Sequence, residues 1–391
     1  MTPFENPVLD TIIKEMPEIV ELNKGMREIL LANLAMLGEI PAPTFKEENR
    51  IKLLLDRFTE LGLSKTTIDE VGNGVAVIEG SGGEKNIMLV AHADTIVPET
   101  VNHTYTINPE EVVGPGVGDN SLGVAVLATL PYILEKMDYK PVNNIILVAG
   151  TRSLGRGNLE GLRFFLENSK LPVSYGVCVE GVRLGRLSHK GIGMLRGDIT
   201  CRIPEQYDWS RFGSSSAILT LNEVINKIND IRLPKRPKSS VVMGSIEGGK
   251  SYNTITTYAR LKFEIRSESA ELTREIADRI EEITTEVTSG HSEDVELDIF
   301  ARREPGGIPF SHPLVRSTRR IIESLGVKPR LAPSTSELAA FIDKGIPAVT
   351  LGITDGVRAG DQKESIQIEP IYKGLAQLIA TIKAIDGGVC E

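Results

Sequence analysis

Cysteine is scarce in this chain of 391 residues, and its placement excludes a disulfide framework. The three cysteines, Cys178, Cys201 and Cys390, lie far apart and form no C-x-x-C pair, which is typical of a reducing compartment. The first residues lack the basic and apolar regions of a signal peptide. No apolar run approaches the roughly 18 residues of a membrane span. We therefore expect a cytoplasmic protein with no membrane partner.

Basic residues are fewer than acidic residues in this chain. Lys and Arg number 44 against 53 for Asp and Glu, which gives a net charge of −9. A nucleic-acid partner would require a basic face, so this balance argues against one. The apolar content of 41% and the charged content of 25% are ordinary for a soluble globular protein. At this length we expect roughly two domains.

The most informative stretch lies at residues 86–94, where an apolar run is followed at once by polar side chains. Residues 87–90 are all apolar, which predicts a strand buried on both faces of a sheet. His92 and Asp94 follow where this strand ends, at the sheet edge where ligands collect. A carboxylate two residues after a His can orient the imidazole so that its other nitrogen binds a metal. A surface loop that merely contains one His and one Asp is the alternative interpretation.

Two more acidic residues follow other predicted elements. The glycine-rich segment 114–123 predicts a tight loop that leads into a helix, with Asp119 at the junction. Asp119 could face a site or cap the helix. Residues 175–179 predict another buried strand, with Glu180 at its end. A carboxylate in that position is costly to bury unless it is paired or metal-bound.

The hydrophobic pattern changes in the middle of the chain. Apolar and polar residues alternate at 195–203 and at 259–266, which predicts half-exposed strands. Predicted helices lie between and after these two segments, whereas the flanking parts of the chain keep the pattern of buried strands. We therefore predict an α/β domain with a mostly parallel sheet and a smaller inserted α+β domain. The larger domain is expected at 1–192 and 301–391, and the inserted domain at 193–300.

Two helical segments precede the first buried strand. Residues 8–37 carry apolar residues at helical spacing, which Pro17 is predicted to interrupt. Residues 47–61 predict an amphipathic helix that Gly62 ends.

The motifs His92-Ala-Asp, Gly118-Asp119-Asn and Glu180 resemble those of a zinc exopeptidase family. That family includes tripeptidase T, glutamate carboxypeptidase, aminoacylase and succinyl-diaminopimelate desuccinylase. The resemblance covers nearly the whole chain and extends to segments 209–218 and 247–255. It implies a zinc exopeptidase-like α/β domain with an inserted lid domain, through which many members form dimers.

The resemblance also implies one complete metal site. In that family two zinc ions share a bridging Asp, to which Asp119 corresponds. His92 and Glu180 correspond to the other protein ligands of the first zinc. Asp94 corresponds to the carboxylate behind the His. Three N and O ligands would leave room for water on the metal.

The second half of the family's site does not match. The family has two adjacent glutamates, a general base and a ligand of the second zinc, where this chain has Arg152 and Ser153. The last zinc ligand, a His, corresponds to Gly360, and a lid His that polarises the substrate corresponds to Tyr207. Because Arg is always protonated, Arg152 cannot take a proton from water. It could instead pair with the remaining carboxylates and stand in for metal charge.

We therefore predict a degenerate member of the family that has lost the catalytic base and the second zinc site. It would bind a small peptide or an N-acyl amino acid, without catalysis or with strongly impaired catalysis. At most one divalent ion, zinc, is expected on His92, Asp119 and Glu180, and the site could also hold none. A homodimer through the lid domain is the expected assembly.

Two alternatives stay open. The chain could be an active metal-dependent exopeptidase or deacylase that uses one metal and recruited groups, with Glu160, His189 and Glu337 as candidates. It could also be a structural subunit beside an active paralogue.

Ligand-binding residues are expected in the inserted domain. The segments of Asn253 and Arg266 approach the carboxylate end of the substrate in the family, and Tyr207 takes the place of the lid His. Asn253 could equally hold a turn, and Arg266 could be a solvated strand residue.

Overall fold

A computed structural model describes residues 6–203, 216–290, 294–357 and 364–391. The chain divides into two compact units, Met1–Gly191 with Gly307–Glu391 and Ile192–Gly306. Below, these are called the larger and the smaller unit.

The larger unit alternates helices and strands along the chain. Its helices are α1 (Pro7–Gly25), α2 (Arg27–Gly38), α3 (Glu48–Glu60), α4 (Leu122–Lys136), α5 (Glu160–Asn168), α8 (Pro313–Ser324), α9 (Leu338–Asp343) and α10 (Glu369–Asp386). Its strands are β1 (Thr66–Ile68), β2 (Gly74–Ile78), β3 (Asn86–His92), β4 (Thr106–Ile107), β5 (Glu111–Val113), β6 (Asn144–Gly150), β7 (Tyr175–Val182), β8 (Leu187–Ser188), β9 (Lys190–Gly191), β15 (Ala348–Thr354), β16 (Gly356–Val357) and β17 (Ser365–Gln367).

The remaining helices and strands belong to the smaller unit, except that the last strand, β14, ends one residue beyond it. Its helices are α6 (Ala217–Asn229) and α7 (Ala270–Gly290). The strands are β10 (Gly193–Arg202), β11 (Ser239–Gly248), β12 (Tyr258–Ser267), β13 (Asp294–Arg303) and β14 (Gly306–Gly307).

A seven-stranded sheet forms the centre of the larger unit, in the order β1-β2-β6-β3-β7-β15-β8. The four central strands β6, β3, β7 and β15 run parallel to one another. The outer strands β1, β2 and β8 pair antiparallel with their neighbours. The predicted α/β fold with a mostly parallel sheet is therefore confirmed.

Helices cover both faces of this sheet, which explains the uninterrupted apolar run of β3. Ile87 and Leu89 belong to the core on one face, with α1, α2, α4 and α10, whereas Met88 and Val90 belong to the core on the other, with α5 and α9. All four side chains are fully buried. Burial of each stabilises the fold by about 1.5–3 kcal/mol.

Helix α1 runs through Pro17, so the predicted interruption at that residue is wrong. The chain breaks instead at Met26, between α1 and α2. Buried residues keep helical spacing on both sides of Pro17, from Ile12 through Met16 and Ile19. Packing of this continuous face against α10 outweighs the loss of one helical hydrogen bond.

One helical stretch within the described ranges, Val117–Lys136, is long and apolar enough to cross a membrane. Its apolar window is 89% buried inside the fold. A core helix of a soluble protein has the same length and composition, so the observation is weak evidence for a membrane span.

The smaller unit is an antiparallel sheet in the order β11-β12-β10-β13, with α6 and α7 packed on it. On β12 the buried side chains Leu261, Phe263 and Ile265 share one core with both helices. The predicted period-two pattern of this strand is thus borne out. Strand β11 lies at an edge of the sheet and carries exposed apolar residues.

Candidate metal centre

His92, Asp119 and Glu180 come together at the carboxyl edge of the central strands. One ligand atom from each side chain lies within 4.8 Å of the other two. His92 ends β3, and Glu180 lies in the neighbouring strand β7, two residues before its end. The parallel register pairs Val90 with Cys178, so His92 and Glu180, each two residues further on, stand level on the same face.

The side chain of Asn120 fixes Asp119 beside Glu180. Asn120 Nδ2 donates to the carbonyl oxygen of Val179 at 2.8 Å, and its Oδ1 accepts from the N–H of Gly181 at 2.9 Å. These two groups flank Glu180 in the chain, so a single amide joins the turn before α4 to strand β7. Asn120 therefore acts as a positioning residue. No side-chain cap bond forms at the start of α4, so Asp119 does not cap this helix.

His92 is held in one orientation by the main chain. Its Nδ1 lies 2.9 Å from the carbonyl oxygen of Asp94 and 3.5 Å from the carboxylate Oδ1 of the same residue. A carbonyl oxygen only accepts, so Nδ1 carries the hydrogen and Nε2 is the nitrogen left for a metal. Nε2 lies 3.3 Å from Asp119 Oδ1. The expected orienting role of the Asp94 carboxylate is thus taken mainly by its backbone.

Negative charge is concentrated around His92. Burial opposes a positive charge on its imidazole, but the nearby carboxylates of Glu337, Asp119 and Asp94 outweigh burial and raise its pKa well above the ordinary value. The one cation beside Glu180 among the described residues is Arg186, with Nη1 3.7 Å from Glu180 Oε1. A site with this balance favours a bound cation, either a proton on His92 or a metal ion.

Arg152 points to a different partner from the one anticipated. Its Nη1 lies 2.7 Å from Oε1 of Glu160, and its guanidinium stacks over the ring of Phe45 at 5.9 Å. Within the described parts of the chain it pairs with neither Asp119 nor Glu180. The idea that Arg152 stands in for metal charge is therefore wrong, because its guanidinium pairs with Glu160, the first residue of α5.

The loop after β6 is fixed through its main chain. Glu47 Oε1 accepts from the N–H of Arg152 at 2.8 Å, and burial raises the pKa of Glu47. Asp94 Oδ2 accepts from the N–H groups of Ser153 and Leu154 at 3.1 and 2.8 Å. The Ser153 hydroxyl is buried and has no hydrogen-bond partner among the described residues. Two buried carboxylates thus hold the segment in which the family's glutamates would lie.

Sequence reasoning missed Arg50, which is 1% exposed. Its guanidinium donates to the carbonyl oxygens of Gly38, Ile40 and Ala93 at 3.0, 2.6 and 2.8 Å, and Ala93 lies between His92 and Asp94 in sequence. A signal was present, because Arg50 precedes the buried Leu54 by four residues and so occupies the apolar stripe of α3.

The remaining candidate residues contact partners other than His92, Asp119 and Glu180. In the larger unit, His189 Nδ1 contacts the carbonyl oxygen of Ile308 at 2.8 Å. In the smaller unit, Arg266 pairs with Glu264, and Asn253 is exposed and accepts a hydrogen bond from Ser251. Their roles in ligand binding stay predictions. Tyr207 and Gly360 lie outside the described residues.

Comparison with known proteins gives two family matches. Residues 212–291 match the M20 peptidase dimerisation domain, and residues 73–152 match peptidase family M28. A provisionally named LysW-lysine/LysW-ornithine hydrolase of Thermococcus kodakarensis is 38% identical over 63 residues, 16% of this chain. That match spans only 17% of the relative's length.

Solved structures match nearly the full length of the chain. A tripeptidase of Staphylococcus aureus has a TM-score of 0.73 at 18% identity and covers 92% of this chain and 99% of its own. A dipeptidase of Saccharomyces cerevisiae has a TM-score of 0.78 at 11% identity, with 95% and 98% covered. An M20 family metallo-carboxypeptidase of Sulfolobus solfataricus has a TM-score of 0.74 at 14% identity, with 91% and 99% covered.

These matches define the class of the protein: it has the metallopeptidase α/β fold with an inserted dimerisation-type domain. The match of residues 212–291 to the M20 dimerisation domain, together with this fold, makes the chain similar to the M20 peptidases.

Proposed function

We propose that this chain is a one-metal member of the M20 family that binds a small peptide or an N-acyl amino acid. It would hydrolyse such compounds far more slowly than a relative with the full set of carboxylates. The supporting observation is the asymmetry of the site. Three candidate ligands of one metal lie within 4.8 Å of one another, whereas the place of the adjacent glutamates is occupied by Arg152, paired with Glu160, and Ser153.

The residues present fit one divalent ion. An imidazole nitrogen and two carboxylate oxygens are a donor set that zinc takes in catalytic sites, with a position left open. His92 would bind through Nε2, because Asp94 O holds Nδ1. When bound, the ion would polarise a carbonyl group as a Lewis acid.

The chain's own residues limit the reaction. Arg152 cannot accept a proton from water, and the loss of a general base costs about 10²–10⁴ in rate. The family's second set of metal ligands is missing from residues 152–153 as well. The chain would therefore still bind and orient its ligand, but it would lack efficient proton transfer from water.

Glu337 supports one alternative, an active hydrolase with a recruited base. It is 3% exposed, and its negative charge helps to raise the His92 pKa. A buried carboxylate near a metal site can act as a base when its surroundings tune its pKa. If the natural chain turns over a dipeptide and Glu337→Gln abolishes this without loss of metal, the alternative replaces the impaired-enzyme proposal.

Zinc should bind at one equivalent per chain, with an affinity that rises about tenfold per pH unit between about pH 5.5 and 6.5. The metal must displace the proton on His92, whose pKa is raised well above its ordinary value. The same proton stabilises the metal-free fold below the unfolded pKa, and this stabilisation is lost as the pH rises through the folded one. Calorimetric titration at several pH values measures stoichiometry and slope together.

Two variants make this titration specific. His92→Ala should weaken binding by more than about 100-fold and remove the pH slope between pH 5.5 and 6.5, whereas Asn120→Ala, which keeps all three ligands, should cost about 10–100-fold. Two equivalents per chain, or an affinity that does not change with pH, would contradict the one-metal site.

We also propose that the smaller unit forms a homodimer through edge strand β11 and helix α6. Ile246 on β11 and Leu219 on α6 are 61% and 62% exposed, and Ile218 and Val242 add further exposed apolar surface. The dimerisation-domain match covers both elements. An exposed apolar edge strand is suited to pairing with a second copy.

Replacing Ile246 with Asp should convert the dimer to a monomer in sedimentation velocity, because a charge would be buried against an apolar partner. Ile68→Asp is the matched control, since Ile68 is 51% exposed on the edge strand β1 of the larger unit. A dimer that survives Ile246→Asp and is lost in Ile68→Asp would place the interface elsewhere. The expectation of a cytoplasmic protein remains part of this proposal.

A further inference from the structure

A cavity lies beside the candidate metal centre, in the larger unit. It has a volume of about 260 Å³ and is lined by Val182, Arg183, Arg186, Arg330, Ala332 and Pro333. Half of the lining residues are arginines, in a chain whose net charge is −9. Like charges are brought together at a cost unless an anion balances them.

Main-chain hydrogen bonds fix the positions of the three arginines. The N–H of Arg186 donates to the carbonyl oxygen of Arg183 at 3.1 Å, which closes a tight turn through Gly185. The N–H of Arg330 donates to Gly185 O at 2.7 Å, and the N–H of Leu187 donates to Arg330 O at 3.1 Å. Gly185 has a φ of +81°, and a Cβ there would lie 2.6 Å from the carbonyl oxygen of Lys328. The turn therefore requires glycine.

The guanidinium of Arg186 is held by buried hydroxyls. Its Nε lies 3.4 Å from Ser188 Oγ, and its Nη2 lies 3.2 Å from Ser334 Oγ. Ser188 and Ser334 are 0% and 1% exposed. This anchoring fixes the guanidinium of a residue that lines the cavity and lowers the entropy lost when a ligand binds.

Two of the three arginines form ion pairs that are longer than hydrogen bonds, and the third forms none within the described ranges. Arg186 Nη1 lies 3.7 Å from Glu180 Oε1, and Arg330 Nη2 lies 3.6 Å from Asp355 Oδ1. Arg183 is exposed and forms no ion pair with any residue that the structure describes. Guanidinium groups with free donors bind carboxylates, often through two parallel hydrogen bonds.

The cavity lies next to Glu180, one of the candidate metal ligands. Val182 lines it and follows Glu180 by two residues on β7. Arg186 Nη1 is 3.7 Å from Glu180 Oε1. A ligand oxygen about 2.8 Å from that nitrogen would therefore lie within roughly 6.5 Å of the metal-site carboxylate.

We propose that this arginine cavity binds the side-chain carboxylate of an acidic amino-acid moiety, aspartyl or glutamyl, in the ligand of the metal centre. The volume admits one small group, because pockets for drug-sized molecules begin at about 300 Å³. The proposal rests on the proposed function for the position of the scissile bond. Recognition of the carboxylate itself depends only on the three arginines.

The test compares N-acetyl-L-glutamate with its neutral analogue N-acetyl-L-glutamine, by calorimetry on the full chain with zinc present. N-acetyl-L-glutamate is expected to bind at least about tenfold more tightly, and Arg183→Met should remove most of this preference. Arg183 is exposed, so this variant should fold normally. Arg319→Met is the matched control, because Arg319 pairs with Glu323 at 2.8 Å on α8 and does not line the cavity.

Separate outcomes address the two proposals. N-acetyl-L-glutamate that binds no better than N-acetyl-L-glutamine, or a preference that survives Arg183→Met and Arg186→Met together, would overturn the cavity proposal. So would inorganic phosphate that displaces N-acetyl-L-glutamate at equal concentration, because the cavity would then be a general anion site. Loss of zinc binding with retained preference for N-acetyl-L-glutamate would instead count against the metal centre alone.

Discussion

A variant that combines Arg152→Glu, Ser153→Glu, Tyr207→His and Gly360→His is expected to hydrolyse dipeptides at least about 100-fold faster than the natural chain when zinc or cobalt is supplied. The four changes restore the groups that the resemblance to the M20 peptidases assigns to the base, the second metal and the polarising lid residue. Each single change should do little, because residues that act as a unit contribute non-additively. Initial rates with a series of di- and tripeptides and N-acyl amino acids measure the effect.

The loop after β6 makes this restoration feasible. Its backbone is already held by Glu47 and Asp94, so new side chains need no new main-chain conformation. Two added carboxylates beside these buried acids should lower the stability of the metal-free variant. Metal at about 100 times its dissociation constant should stabilise the folded variant by about 2.7 kcal/mol. A natural chain that already turns over a peptide at about 1–10³ s⁻¹, and stops in Arg152→Ala, would refute the impaired-enzyme proposal.

Replacement of Arg50 by Met should destabilise the larger unit by about 3–5 kcal/mol. Three carbonyl oxygens, of Gly38, Ile40 and Ala93, would lose their buried donor, and each unsatisfied group costs about 1–3 kcal/mol. The nearby carboxylates of Glu47 and Asp94 would also lose a compensating charge. Urea unfolding followed by circular dichroism measures the change in free energy.

Lys65→Met provides the matched comparison for Arg50→Met. Lys65 is 60% exposed and pairs with Glu79, and an exposed ion pair contributes at most about 1 kcal/mol. Equal stabilities for the two variants would show that the buried guanidinium is not structural. Zinc affinity offers a further readout, because Arg50 holds the residue between His92 and Asp94 and should affect metal binding even where the fold survives.

The strands and the candidate metal ligands could be predicted from sequence because their signals are local. The run at 87–90 is apolar throughout because both faces of β3 are covered. His92 and Asp94 stand beside it in sequence, so strand and site were predicted together. Asp119 and Glu180 also stand at predicted element boundaries, and the family resemblance assigned both to the metal. The structure brings one ligand atom of each within 4.8 Å of His92.

The roles of Asn120 and Arg186 could not be predicted, because their partners are distant in sequence. Asn120 binds atoms about 60 residues away, and Arg186 is anchored by a serine 148 residues away. Nothing local in the sequence distinguishes such a side chain from a helix cap or a surface charge. The prediction that Pro17 interrupts the helix was wrong for the opposite reason. The local preference of proline was outweighed by packing of α1 against α10, which comes from the other end of the chain.

The attachment of the 152–154 segment through N–H groups has an evolutionary consequence. Every residue except proline presents the same N–H, so mutations at positions 152 and 153 leave the anchoring carboxylates of Glu47 and Asp94 with their partners. The hydrogen bonds that anchor this loop therefore do not depend on which side chains stand at these two positions. A lineage can drift away from the glutamates and return to them by point mutation, and the loop itself would keep its shape in both directions.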